Sequence, residues 1–226
     1  MEITYLGHSS FLFVIGETRI VFDPFITPNP LAASIKLEDL RPDYILVTHG
    51  HGDHIADVEQ LAKLSGATVV ANHEIATYFA EKGIEKTHGM NTGGQMHFEF
   101  GSLKMVNALH SSSFPDGSYA GNPVGFVIEA AERTFYYAGD TALTLDMKLI
   151  AEEFKIDFAL LPIGNNYTMG IADAIRAANF VGTRKVIGMH YDTFLPIQID
   201  KTGAVLSAKR AEIDLVLMEI GETLTT

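Results

Sequence analysis

No cysteine occurs among the 226 residues, which excludes disulfides, thiolate metal sites and a cysteine nucleophile. A reducing compartment suits such a chain, and a cytoplasmic location is the expectation. Positive charge is also scarce, with 16 Lys and Arg against 28 Asp and Glu and a formal net charge of -12. That sign repels phosphate backbones and anionic lipid at long range, so neither nucleic acid nor a membrane is expected as partner. No apolar run approaches the about 18 residues of a membrane span. The start, MEITYLGHSS, lacks the basic region and apolar core of a secretion signal. There is no internal repeat, no low-complexity tract and no linker rich in proline, glycine or serine, which predicts one domain over residues 1–226. A GxSxG elbow is missing too, so Ser9, Ser10 and Ser111 read as turn residues rather than nucleophiles.

Hydrophobic residues make up 47% and charged residues 19% of the chain, enough apolar side chains for packed layers. β-rich runs come first: EITYL, SFLFVI and TRIVFD read as adjacent strands of one sheet. DYILVTH follows as an apolar strand. IADVEQLAKLSG then carries Ile55, Val58, Leu61 and Ala62 at helical spacing and ends at a capping Gly66. ATVVA and EIATYFAEKG repeat the alternation. From residue 95, QMHFEF, LKMVNALH, PVGFVIEA and TFYYAGD predict a second, antiparallel sheet. In the last third, LTLDMKLIAEEF and GIADAIRAANFVG look helical between the buried strands DFALLPIG, KVIGMH and DLVLMEI. Two strand-rich groups with outlying helices predict two sheets face to face with helices outside. SSSFPDGSYAGNP, residues 111–123, is a long run of turn formers and a candidate lid or substrate loop.

Chemistry gathers where apolar strands end. YILVTH ends at His49, MVNALH at His110, FYYAGD at Asp140 and VIGMH at His190. Buried strands carry imidazoles poorly in their interiors, but their ends open onto loops where several can meet around a cation. THGHGDH is the densest stretch, with His49, His51, Asp53 and His54 around Gly50 and Gly52. The two glycines are expected to let the backbone turn sharply, so that His49 and His51 face one point and Asp53 and His54 another. A carboxylate that bridges two divalent ions holds them roughly 3.5 to 4 Å apart, and Asp140 is the natural candidate. The predicted ligands are His49, His51 and His110 on one ion and Asp53, His54 and His190 on the other, with Asp140 shared.

Residue by residue this resembles the metallo-β-lactamase fold superfamily, whose HxHxDH signature is matched at His49, His51, Asp53 and His54. That superfamily's later histidine, bridging aspartate and final histidine fall in order on His110, Asp140 and His190. GHSS, DPF, LVTHGHGDH, AGDT and PIG look like its small metal-dependent hydrolases near the ascorbate-phosphate lactonases. The resemblance implies an α+β, four-layer αββα sandwich with the metals at one edge. It also implies that Asp23, at the end of RIVFD, steadies the histidine loop, where the plain alternative is a turn before Pro24. His8 is read as a substrate contact or further ligand, as against a buried loop histidine. Asn166, in PIGNNYTMG, is a candidate substrate or supporting contact, although a plain turn is the default and the branch resembled has glycine where Asn165 stands.

Two divalent ions would bring water's pKa from about 15.7 to about 7 and supply a hydroxide nucleophile without serine. Asp53 would orient it and receive its proton. The expected reaction is metal-assisted hydrolysis of an ester-like bond in a small, phosphorylated metabolite, as in a lactonase. Histidine and carboxylate ligands suit zinc or manganese first, then iron or nickel. Rival readings are a phosphodiesterase or nuclease of the same fold, which the charge opposes, and a non-catalytic metal-binding sensor, which would not need all seven ligands. A di-iron oxidoreductase is expected to have glutamate where His51 stands. Exposed apolar loops are compatible with a homo-oligomer.

Overall fold

Alternating apolar residues and tight glycine turns build the first three strands, β1 (Glu2–Gly7), β2 (Ser10–Ile15) and β3 (Thr18–Phe22), into an antiparallel meander. Its register sets Ile3 against Phe13 and Phe13 against Ile20, so aromatic and β-branched side chains stack across one face. The computed structural model describes residues 1–131 and 133–226, which cluster into two units. The first comprises Met1–Gly94, Ser111–Pro123 and Glu219–Thr226; the second comprises Gln95–His110 and Val124–Met218.

In the first unit the meander continues through parallel strands β4 (Tyr44–Leu46), β5 (Thr68–Asn72) and β6 (Thr87–Met90), and Thr223–Thr225 pairs antiparallel with β1. Parallel neighbours need crossovers, and helices provide them: α1 (Leu37–Leu40) before β4, then α2 (Gly52–Ile55) and α3 (Val58–Ser65), then α4 (His73–Glu81). The expected run from Ile55 to Gly66 is divided between α2 and α3. Val58, Leu61 and Ala62 of α3 are buried, and Gly66 ends it at φ 71° with its N–H on the Ala62 carbonyl. The Asn72 side chain caps α4 by accepting from the Ile75 N–H at 2.9 Å. Leu61, Ile75 and Phe79 pack with Val21, Ile45 and Val69 of the sheet.

The second unit has its own seven-stranded sheet. Strands β7 (Gln95–Phe98), β8 (Gly101–Asn107), β9 (Val124–Glu129) and β10 (Thr134–Tyr137) are antiparallel. The sheet then continues in parallel through β11 (Phe158–Pro162), β12 (Lys185–Met189) and β13 (Asp214–Val216). The second sheet is therefore mixed: antiparallel as expected over residues 95–137, parallel where the strand-helix alternation resumes. Helices α5 (Met147–Glu153), α6 (Ile171–Phe180) and α7 (Lys201–Arg210) make its parallel crossovers. Two mixed sheets with flanking helices give the α+β class expected from sequence. Among the described residues no helix is long and apolar enough to cross a membrane.

The polar residues predicted at strand ends lie slightly beyond them. β4 stops at Leu46, three positions before His49; β8 stops at Asn107, three before His110; β10 stops at Tyr137, three before Asp140. Only His190 follows its strand directly.

Candidate functional site

In the first unit the ordering begins at Asp23. Its buried carboxylate accepts from the Thr48 N–H at 2.8 Å and the Thr48 hydroxyl at 2.7 Å, and its Oδ2 stands 2.9 Å from Nδ1 of His54. A carboxylate only accepts, so His54 carries its proton on Nδ1 and presents the Nε2 lone pair. The Thr48 hydroxyl has given its hydrogen to Asp23, so at 3.0 Å it accepts from Nδ1–H of His49, whose lone pair is likewise on Nε2. One aspartate thus fixes the tautomer of two buried imidazoles, the usual arrangement behind metal-ligating histidines. His49 Nε2 and His51 Nδ1 lie 3.0 Å apart, within the roughly 3.0 to 3.4 Å that separates two nitrogens each about 2.1 Å from one ion. The donor set fits a divalent cation.

His8 enters the same cluster from the β1–β2 corner. Its Nε2 is 3.1 Å from Oδ2 of Asp53, which itself lies 3.9 Å from His54 Nε2. Asp53 sits in the first turn of α2. Ligand atoms of His8, Asp53 and His54 all fall within 4.8 Å of one another.

The glycines of the loop act differently from the expectation. Neither Gly50 nor Gly52 has a left-handed backbone, so conformational freedom is not their use. Gly50 is required by close approach: a Cβ there would stand 2.3 Å from the Ala120 Cβ and 3.2 Å from the Ser113 carbonyl oxygen. Residues 111–123 are pressed onto the histidine loop at this point. The Ser112 hydroxyl accepts from the Gly50 N–H at 3.2 Å and donates to the Ala120 carbonyl at 3.2 Å, while Ser111 Oγ is 3.4 Å from His51 Nε2. Phe114 stacks on Tyr78 at 3.9 Å, and the Asn72 amide donates to the carbonyls of Ala120 and Asn122. This segment is a seated wall beside His51, with Tyr119 exposed on it.

The second unit brings His110, Asp140 and His190 together. Oδ2 of Asp140 faces Nε2 of His190 at 3.0 Å and Nε2 of His110 at 3.6 Å. Thr141 braces the set: its hydroxyl accepts from the Leu109 N–H at 3.0 Å and donates to the Ala142 carbonyl, and its carbonyl accepts from the Met169 N–H. His190 adopts φ 56°, and a Cβ at Gly164 would meet its carbonyl oxygen at 2.0 Å. Asn165 and Asn166 are exposed and left-handed, at φ 60° and 55°. Among the described residues no hydrogen bond joins Asn166 to His110, Asp140 or His190.

Sequence reasoning passed over Thr48, Thr141, Asp57 and Gly164. Threonine beside His49 and beside Asp140 was the available signal for the first two. Asp57 is buried and accepts from the Ile26 and Thr27 N–H groups at 2.6 and 2.9 Å, which ties the segment after Asp23 to the start of α3.

Residues 18–191 match the profile of the beta-lactamase superfamily domain. A UPF0173 metal-dependent hydrolase of Flavobacterium johnsoniae is 51% identical over 224 residues, covering 99% of both chains. One from Christiangramia forsetii is 52% identical over 225 residues, again covering 99% of each. Among solved structures, Igni18, a metallo hydrolase from the hyperthermophilic archaeon Ignicoccus hospitalis, superposes with a TM-score of 0.89 at 35% identity, covering 99% of this chain and 97% of its own.

Proposed function

The chain belongs to the β-lactamase superfamily and has the α+β metallo-β-lactamase fold, and from that premise we propose that it is a hydrolase working with two divalent metal ions. His49, His51 and His110 would hold one ion and Asp53, His54 and His190 the other, with Asp140 shared. The observation that carries the reading is the single Asp140 oxygen facing a ring nitrogen of both His110 and His190, an arrangement that suits a carboxylate shared between two ions. The curated names of relatives about half identical in sequence support the hydrolase class.

When bound, such ions supply Lewis acidity and bring the ionisation of water close to neutral pH. The chain's own groups do the rest. His49 and His54 would hold an ion through Nε2 as neutral imidazoles, since Asp23 and Thr48 hold their Nδ1 protons. Asp53, partly exposed at the start of α2, orients the attacking water and takes up its proton. The bond is ester-like and the substrate a small, phosphorylated metabolite, with a lactone first in order. Nucleic acid is opposed by the charge of -12. Ligands limited to imidazole and carboxylate suit zinc or manganese. A cytoplasmic site of action fits a chain free of cysteine.

Elemental analysis of the purified protein, with assays on phosphorylated lactones, thioesters and phosphodiesters after zinc or manganese loading, tests this. Two ions per chain are expected. Asp140→Ala should lose at least one of them and about a hundredfold or more in hydrolysis, beyond the range of an outer-shell change. Full activity in chelator-stripped protein would overturn the reading, and cleavage of phosphodiesters alone would replace lactones as the substrate class.

A further inference from the structure

The corner between β1 and β2 is built at some expense in backbone conformation. Gly7 and His8 both lie in the left-handed region, at φ 105° and 57°, and the β1–β2 register shifts between Tyr5 and Gly7. A non-glycine residue there costs about 1–2 kcal/mol, and a plain hairpin turn could join the same strands. The corner is held from several sides. The Tyr5 hydroxyl donates to the His8 carbonyl at 3.2 Å, and the Ser10 hydroxyl donates to the Asp23 carbonyl while accepting from the Phe25 N–H. A Cβ on Gly7 would stand 2.8 Å from Nδ2 of Asn29.

What the corner delivers is one imidazole. The His8 side chain is fully buried, edge-on to Phe25 at 5.5 Å and to His54 at 5.6 Å, and its Nε2 reaches Oδ2 of Asp53 at 3.1 Å. Its ring therefore has little freedom to turn. Asp53, in contrast, belongs to a four-residue helix and its side chain is 26% exposed. The buried ring stands within hydrogen-bonding distance of this carboxylate and restrains its rotamer.

We propose that His8 is the positioning residue of Asp53: its Nε2–H holds Oδ2, which directs the carboxylate at the ion and the attacking water. The proposal rests on the hydrolase reading and adds a group outside the HxHxDH signature. Packing alone and direct ligation predict different outcomes. If His8 only fills space, His8→Phe keeps the ring and is mild, while His8→Gln opens a cavity. If His8 is a ligand, either change lowers the number of ions bound at saturation. Positioning requires that Gln, whose amide nitrogen reaches the place of Nε2, recovers what Phe loses.

The experiment uses full-length protein titrated with Co2+ and assayed on whichever ester the wild type hydrolyses. His8→Phe should still bind two cobalt ions at saturation, one of them 10- to 100-fold more weakly and with an altered visible spectrum. Its kcat should fall by about the same factor with KM changed less than about threefold. His8→Gln should recover most of both losses. Tyr5→Phe, which frees the His8 carbonyl without touching the ring, should lower kcat a few-fold, and it carries the test if His8→Phe does not fold. Wild-type kcat and cobalt affinity in His8→Phe, or in Tyr5→Phe where that variant stands in, would overturn the proposal. So would the loss of a cobalt ion from both His8 variants. Wild-type protein that binds no metal and hydrolyses nothing would instead sink the hydrolase reading itself.

Discussion

His8, Asp23 and His190 carry φ values of 57°, 40° and 56°, in a region uncommon for any residue but glycine and entered most often by asparagine, aspartate and histidine. Strain of this kind persists where neighbours over-determine it, and such places tend to be functional. Each of the three has its restraint: Tyr5 on the His8 carbonyl, Thr48 on the Asp23 carboxylate, and Gly164 beneath the carbonyl of His190. The ligand types were legible because histidine and aspartate at close spacing announce themselves. Left-handed histidines and the bracing threonines were not, since only the folded backbone gives them a task. Asp23 offers a sharp trial. Three donors, the Thr48 N–H, the Thr48 hydroxyl and His54 Nδ1, meet its two oxygens, and an asparagine would turn an amide N–H2 toward at least one of them. Asp23→Asn should therefore weaken metal binding 10- to 100-fold and lower the stability of the metal-free protein by about 1–3 kcal/mol. Competition titration against a metal buffer and a denaturant melt measure the two effects. Unchanged affinity would reduce Asp23 to a turn residue ahead of Pro24.

At the scale of elements, the apolar strands could be found by composition, but where they stop could not. Residues 47–48, 108–109 and 138–139 remain apolar or small after their strands have ended, so a pattern read from sequence carries on to the ligand itself. β6 (THGM), the terminal strand TLT and α7 (KTGAVLSAKR) escaped notice for another reason. The two strands are short edge strands with little apolar signal, and α7 has a glycine inside it and buries little beyond Ala204 and Ala208. The segment 111–123 was legible as a loop but not as a seated one, because its anchors, Phe114 on Tyr78 and Ala120 on Gly50, come from distant sequence. Phe114 is 5% exposed, and truncating a buried phenylalanine costs about 3 kcal/mol or more. Phe114→Ala should thus loosen the segment, with chymotryptic cleavage at the exposed Tyr119 faster by about 100-fold, the factor that such a loss gives when opening is fast. KM should rise more than kcat falls. Cleavage at the wild-type rate would show that the wall stands without the Tyr78 stack.

For the whole molecule, the chain passes between its two units after Gly94, His110, Pro123 and Met218. No change of composition marks these passages, because each unit is completed by segments remote in sequence; boundaries of this sort leave no linker to read. The class of fold was legible nevertheless, since strand-helix alternation followed by a strand-rich run and renewed alternation has few solutions other than two mixed sheets with helices. The surplus of acidic groups behind the charge of -12 adds self-repulsion in the folded state, which bound cations relieve. Ligands organised only in the folded chain also make metal binding a source of stability, through RT ln(1 + [L]/Kd). With each ion at about 100 times its dissociation constant, one site contributes about 2.7 kcal/mol and two contribute roughly 5 kcal/mol. At about 2–4 °C per kcal/mol for a chain of this size, stripping both ions should lower the unfolding midpoint by on the order of 10 °C. Calorimetry with and without a chelator measures this. Asp140→Ala, already short of metal, should show a much smaller chelator shift. An unfolding midpoint indifferent to chelation in the wild type would mean that His49, His51, Asp53, His54, His110, Asp140 and His190 bind no ion tightly in the folded chain.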